Sequence, residues 1–217
     1  MSIITIATSK GGAGKTTLAQ LIGGTIAERG YTVAMIDADY NHSLSDWVRT
    51  FATYPITVES ELDETKIIPL AERLSDTHDL VIIDTAGAAT QATVFAIGCA
   101  DLVLIPCQLS SADIVEASKT NQLIASAAAM TRQEICARVV LTDYQPKTII
   151  AGHVEEELAA CGLTVLPTRL HRLVAFKEMT FTGKAPKGGH AAELVSGMLD
   201  DIARLDALPF MAMKTAS

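Results

Sequence analysis

Ser9-Lys10-Gly11-Gly12-Ala13-Gly14-Lys15-Thr16-Thr17 follows directly on an apolar run, residues 3–8. It opens a stretch, residues 16–29, in which Leu18, Leu21, Ile22, Thr25 and Ile26 share one helical face before Gly30 stops it. A strand, a glycine-rich turn and a helix in that order form the setting in which G-x-x-x-x-G-K-S/T binds phosphate. Ser9 stands where the first glycine of that pattern is usual. Glycines at 11, 12 and 14 let backbone N–H groups converge on phosphate oxygens without side-chain clash. The helix N-terminus adds partial positive charge. Lys15 is placed to neutralise β- and γ-phosphates, and the Thr16 hydroxyl to ligate Mg²⁺, with Ala13 and Thr17 completing the cradle. The competing reading is a strand-to-helix turn that holds nothing, and the full frame in its context argues against it.

Outward from this loop, apolar bursts of strand length alternate with helical periods. Residues 32–37, 79–84, 101–106 and 135–142 read as buried strands, and 56–59 and 163–167 as short ones. Residues 43–51, 64–75, 90–98, 111–130, 149–161 and 190–205 read as helices. Strands apolar on both faces and joined by helices predict an α/β fold: three layers, a mostly parallel sheet with helices on both faces. One P-loop domain is expected over residues 1–210, with 211–217 as a fraying tail.

Hydrophobic residues make up 49% of the 217 and charged residues 19%, a balance that supports a packed core rather than disorder. Apolar runs such as residues 102–106 are too short to span a bilayer. The N-terminus lacks the basic region and long apolar stretch of a secretory signal. The net charge is −8, from 17 basic and 25 acidic side chains. That excludes a uniformly basic nucleic-acid binder and leaves room for a local basic patch. Cys99, Cys107, Cys136 and Cys161 form no CxxC pair and have no zinc-ligand spacing. They are expected as reduced, mostly buried thiols of a cytoplasmic protein, which argues against iron–sulfur or structural zinc chemistry.

Lys10 to Thr16 resembles the deviant Walker A motif, KGGxGK-S/T, of the ParA/MinD group of ATPases. The resemblance implies an ATP- and Mg²⁺-dependent homodimer in which Lys10 reaches across to the partner's nucleotide. A second cation there offsets charge on the transferring phosphoryl group, as an arginine finger does. Outside this frame, Lys10 would read as a solvated loop cation. Asp37-Ala38-Asp39 ends a strand, and period-two spacing points both carboxylates to one side, over the crevice at the strand ends. The family usually continues DxDPQ, whereas this chain has Tyr40-Asn41. The resemblance implies that Asp37 helps hold Mg²⁺ through water and that Asp39 positions the attacking water. The alternative is Asp39 as a helix N-cap.

Asp84 closes a second apolar strand, where a carboxylate is costly unless it meets solvent or a cation. Asp84-Thr85-Ala86-Gly87 resembles a Walker B strand and second switch, although the family usually has DTPP. DTAG is similar to GTP-binding proteins, and Gly87 is a candidate γ-phosphate sensor. No guanine-reading NKxD motif accompanies it; the nearest remnant is Thr142-Asp143-Tyr144. Residues 99–114 resemble the family's strand after Walker B, and residues 169–183 are weakly similar to the segment where the family places a loop near the adenine.

Several function classes remain in view. The first is a partition-type switch: an ATP-driven dimer that binds DNA non-specifically, associates with the nucleoid and is reset by a ParB-like or other centromere- or cargo-binding partner. Arg169, Arg172, Lys177, Lys184 and Lys187 face one acid, Glu178, within residues 169–190, a footprint for phosphate backbones. An ordinary solvated surface is the competing reading. The second is a MinD-like membrane-positioning switch, which needs a basic amphipathic C-terminal helix; residues 207–217 hold one Lys and a Pro. The third is a small-molecule ATP-dependent ligase of the dethiobiotin-synthetase type. A nitrogenase-iron-protein-like reductase is set aside because Cys99 and Cys136 lack matching flanks. The phosphate loop begins within ten residues of Met1, so no DNA-reading module is expected before the first strand. The chain resembles short plasmid-partition ATPases and VirC-type proteins.

Overall fold

A computed structural model describes residues 2–214. Six apolar segments form strands: β1 (Ser2–Ile6), β2 (Val33–Ala38), β3 (Ile56–Ser60), β4 (Leu80–Thr85), β5 (Leu102–Cys107) and β6 (Cys136–Leu141). They make one sheet in the order β3-β2-β4-β1-β5-β6, parallel at every pairing. Every residue of β1, β2, β4 and β5 is buried, which is why these strands read as unbroken apolar runs instead of alternating ones.

The helices are α1 (Lys15–Glu28), α2 (Ser43–Thr50), α3 (Glu64–Ser75), α4 (Gln91–Gly98), α5 (Ser111–Thr131), α6 (Ile149–Ala160), α7 (Val174–Thr182), α8 (Gly189–Ala203) and α9 (Pro209–Lys214). On one face, Ile4, Ile6, Met35, Leu80 and Ile82 pack against α1, α2, α7, α8 and α9. The alternate residues, among them Ile36, Val81, Ile83, Val103 and Ile105, pack against α3 to α6 on the other. The expected three layers are thus present, each filled from one parity of the strands.

Register positions the site. Ile6 of β1 and Asp37 of β2 both stand opposite Asp84 of β4. The turn after β1 and the two strand-end carboxylates therefore meet at one level of the sheet's C-terminal edge, where open α/β folds bind ligands.

Three expectations differ from the structure. Residues 163–167 are not a strand: Val165 makes a single parallel bridge to Val139. Leu166 donates to the Val139 carbonyl, but the next N–H on that side, that of Thr168, turns to Asp201 Oδ2 at 2.8 Å and interrupts the ladder. Residues 169–183 are not all loop, since they include α7, which buries Phe176 and Met179. Of the expected tail, residues 211–214 continue α9, whose Phe210 meets Tyr31 edge-on at 4.9 Å; residues 215–217 lie outside the described residues. Of the four free thiols only Cys107 is buried, and Cys161 is exposed. No described helix is long and apolar enough to cross a membrane.

Candidate functional site

The turn from β1 to α1 carries the phosphate-loop sequence. Gly12 and Gly14 adopt φ of 77° and 97°, left-handed values that a side chain would strain. The Leu18 N–H bonds to the Gly14 carbonyl at 2.9 Å and closes the first turn of α1. Lys15, at the start of that helix, is 7% exposed. Its Nζ donates to the Lys10 carbonyl at 3.0 Å. Burial lowers its pKa, against the opposing pull of Asp84 and Asp39.

Thr16 Oγ1 donates to Asp84 Oδ2 at 2.6 Å. Asp84 is 1% exposed, and burial pushes its carboxyl up to about 7, against the Thr16 hydrogen bond. Its Oδ1 is buried without a hydrogen-bond partner among the described residues. An orphaned carboxylate oxygen beside a threonine hydroxyl is a hard-oxygen pair that suits Mg²⁺, which keeps waters and phosphate oxygens in its remaining positions. Such a cation would return the carboxyl to its ionised form.

Asp37 is fully buried and already engaged. Its Oδ2 accepts from the Ser45 N–H at 2.8 Å and its Oδ1 from the Asp39 N–H at 3.2 Å. Ser45 sits in the first turn of α2, so Asp37 takes up one of that helix's open donors from a distance. Asp39 is not the N-cap of α2. His42 holds that position, at φ 51°, with no side-chain cap bond. Asp39 instead accepts from the Asn41 N–H and Nδ2 at 3.0 and 2.9 Å. Together with Tyr40, Asn41, Ser43, Ala86, Gly87 and Ala88 it faces Gly11, Gly12 and Gly14 to Thr17 across a cavity of about 600 Å³. Gly87 lies hard against the loop. A Cβ there would stand 2.9 Å from the Gly11 nitrogen and 3.0 Å from its Cα, so the β4 exit reaches the loop only as glycine.

Lys10 points elsewhere. Its Nζ donates to both carboxylate oxygens of Asp113 at 3.0 Å. Asp113 is 3% exposed in the first turn of α5. Ser110, the N-cap of α5, accepts from the Asp113 N–H and donates its hydroxyl to the same carboxylate. Nothing in the sequence marks Asp113 as the partner of Lys10. A Ser-x-x-Asp at a helix start was the available signal, but it reads as a capping pattern, not as the partner of a lysine about a hundred residues earlier.

On the far side of the loop lies a second cavity of about 500 Å³. Gly12, Ala13 and Gly14 form one wall; Thr142, Asp143, Leu170, His171, Arg172 and Phe176 form others. Thr142 Oγ1 donates to the Ala13 carbonyl at 3.2 Å, tying β6's exit to the loop. The segment compared with an adenine-proximal loop thus stands beside the phosphate loop.

The five basic residues of that region do not share one condition. Arg169 pairs with Glu155 through two bonds of 3.0 and 2.6 Å. Arg172 pairs with Asp143 at 3.0 Å and Lys187 with Glu28 at 2.9 Å. Lys177 and Lys184 are exposed, and neither is in a salt bridge among the described residues. The stretch therefore does not present five free cations, because local carboxylates neutralise three.

The parallel sheet, the strand-to-helix glycine loop and the carboxylates at the strand ends define a P-loop nucleotide-binding protein. A family model for the VirC1 protein matches residues 1–184. Protein ParA of Rhizobium radiobacter is 35% identical over 205 residues, spanning 89% of this chain and 91% of that one. Among solved structures, apo McdA of Cyanothece superposes with a TM-score of 0.78 at 18% identity, covering 93% of this chain and 99% of that one. MinD of Aquifex aeolicus superposes with a TM-score of 0.76 at 19% identity, covering 94% and 97%. The chain belongs to the VirC1/ParA family.

Proposed function

We propose that this chain is an ATP-hydrolysing switch that dimerises on ATP, binds DNA without sequence preference and, with a ParB-like or other cargo-binding partner, segregates or positions DNA. The observation that carries the reading is the division of labour between the loop's two lysines. Lys15 is buried under the loop, where a triphosphate's β- and γ-oxygens would replace the Lys10 carbonyl as its acceptor. Lys10 is turned out of the loop toward α5, and a lysine so placed suits a role at a second subunit's nucleotide.

Other residues fit the same chemistry. Backbone N–H groups of residues 11–16 bind phosphate oxygens. Thr16 and Asp84 would hold Mg²⁺, which neutralises charge building on the phosphates. Asp37 anchors the start of α2, and so fixes the turn that carries Asp39. Asp39 is the carboxylate free to orient an attacking water, once Asn41 releases it. Lys177 and Lys184 are the cations with most to offer a phosphate backbone.

A second reading has one observation in its favour. The cavity between Asp39, Tyr40 and Ala88 has room for a small acceptor beside the phosphates, as an ATP-dependent ligase of the dethiobiotin-synthetase type requires. One experiment separates the two. Phosphate release is measured with ATP and Mg²⁺, with and without random-sequence duplex DNA, while light scattering follows mass. An ATP-dependent dimer that DNA stimulates supports the switch. A constant monomeric mass, with turnover only when a small carboxylic acid or amine is added, replaces it with the ligase.

A further inference from the structure

Helix α7 buries Phe176 and Met179 and leaves Val174, Lys177 and Phe181 exposed at i, i+3 and i+7, along one edge. Phe181 is 74% exposed. A single exposed aromatic is ordinary; this one has a built support. Its ring meets Phe51 edge-on, centroids 6.5 Å apart and planes at 73°. Beneath the pair, Gly183 terminates α7 at φ 64°, and a Cβ there would sit 1.5 Å from the Phe51 carbonyl oxygen. Thr53 Oγ1 donates to the Gly183 carbonyl at 3.1 Å, and Trp47 Nε1 to the Met179 carbonyl at 3.2 Å. The segments that carry the two rings are thus pinned together, and holding the rings outward costs little further ordering.

Lys177 lies one turn before Phe181 and Lys184 three residues after it, and among the described residues these are the two Lys/Arg of the basic segment without a salt bridge to a carboxylate. Fixed aromatic faces flanked by unpaired ammonium groups match a ligand whose flat rings and phosphates are both open to contact. Single-stranded nucleic acid is that ligand. A duplex hides its base faces in the stack and offers only phosphates here. A lipid surface is a poorer match, because α7 has nine residues, its opposite face is buried in the core and Glu178 stands next to Lys177.

We infer that Phe181 and Phe51, with Lys177 and Lys184, form a stacking platform for single-stranded DNA. This deepens the DNA-binding reading and rests on it. Lys177 and Phe181 also line the cavity beside the phosphate loop, so the platform adjoins the nucleotide.

Fluorescence anisotropy of the full chain with Mg²⁺-ATP tests this, using a labelled oligothymidine of about 20 nucleotides and a random duplex of equal length. Phe181→Leu keeps apolar bulk and removes the aromatic face. It should weaken oligothymidine binding about ten-fold and leave duplex binding within about two-fold, and Phe181→Trp should restore the single-strand affinity. Phe51→Leu, which lies outside the cavity, should lower single-strand affinity in the same direction. Lys177→Glu with Lys184→Glu should weaken both oligonucleotides. Equal losses for both oligonucleotides in Phe181→Leu, or no loss in either leucine variant, would overturn the platform while ATP-dependent duplex binding still upheld the switch. Sedimentation with phosphatidylglycerol vesicles that is abolished in Phe181→Leu would overturn it in favour of a membrane surface. If neither oligonucleotide binds in any nucleotide state, the DNA-binding reading itself falls.

Discussion

The phosphate loop and the basic stretch from Arg169 to Lys187 are both rich in lysine, arginine or both, yet they hold their charges differently. In the loop, each cation rests on an acceptor that a ligand could replace: Lys15 on the Lys10 carbonyl, Lys10 on Asp113. In the basic stretch, Arg169, Arg172 and Lys187 are committed to Glu155, Asp143 and Glu28. The carboxylate that holds Lys10 is buried, whereas Arg172 and Lys187 form their pairs at the exposed surface. A count of basic residues along a sequence does not distinguish the two conditions. A contact within the loop fixes Lys15, whereas side-chain pairs between distant segments fix Lys10 and the basic stretch alike.

The largest effect that sharpens this contrast is expected from Lys15→Ala. Without that ammonium the β- and γ-phosphates lose a charge-assisted partner in a buried setting, and ATP affinity should fall at least a hundred-fold, about 3 kcal/mol or more. Isothermal titration showing unchanged affinity would remove the loop from its assigned role. Next is Asp39→Ala, which should keep ATP and Mg²⁺ but slow phosphate release roughly a hundred-fold or more. Light scattering should then find a dimer that persists in ATP; a monomer under those conditions would take Asp39 out of the water-positioning role.

Asp113→Asn should act more moderately. It removes the charge that draws Lys10 to α5, so dimerisation should require several-fold less ATP, as expected when a competing internal contact of one to two kcal/mol is lost. A dimerisation curve identical to that of the unaltered chain would mean the Lys10–Asp113 pair does not compete with the second subunit. The smallest effect tests the committed charges. Arg169 holds the Glu155 carboxyl below its ordinary range. A depressed carboxyl contributes stability above its unfolded pKa, and that contribution fades as pH falls through the lower, folded value. Urea melts at neutral pH should find Glu155→Gln less stable by about 0.5–1 kcal/mol, with the gap closing in acid. The same variant frees Arg169, and duplex affinity should rise by about two-fold. A gap that persists unchanged in acid would mean that packing, not the ion pair, sets it.

The loop and the strand-end aspartates were legible because each depends on local order. Strand, glycine turn and helix are consecutive, and Asp37 and Asp84 each close an apolar run. The sheet layers followed from strands with no polar face. What escaped the sequence was set across long separations. Asp113 reads as part of a capping pattern until the fold brings Lys10 to it. Helix α7 carries Val174, Thr180 and Thr182, weak helix formers, and is held by Phe176 and Met179 in the core, by Trp47 and by the turn at Gly183. Residues 163–167 have strand composition, but the Thr168 N–H that would continue the ladder along β6 is taken by the Asp201 carboxylate, more than thirty residues away. The salt bridges of the basic stretch come from α1, α6 and the end of β6, and no spacing rule joins those residues to it.

The order of strands has a consequence for how the protein comes to exist. β4 lies between β2 and β1, so the first two strands made do not pair with each other. The glycine loop follows β1 directly, but Thr16 meets Asp84 only when β4 takes its place between β1 and β2. Because that step pairs distant parts of the chain, it is expected to be slow in folding. Any nucleotide that binds only the finished site would favour the folded side of that equilibrium. The loop and the carboxylate that its threonine bonds thus become neighbours only through the central strand, and a chain without that strand in place carries the loop without Asp84.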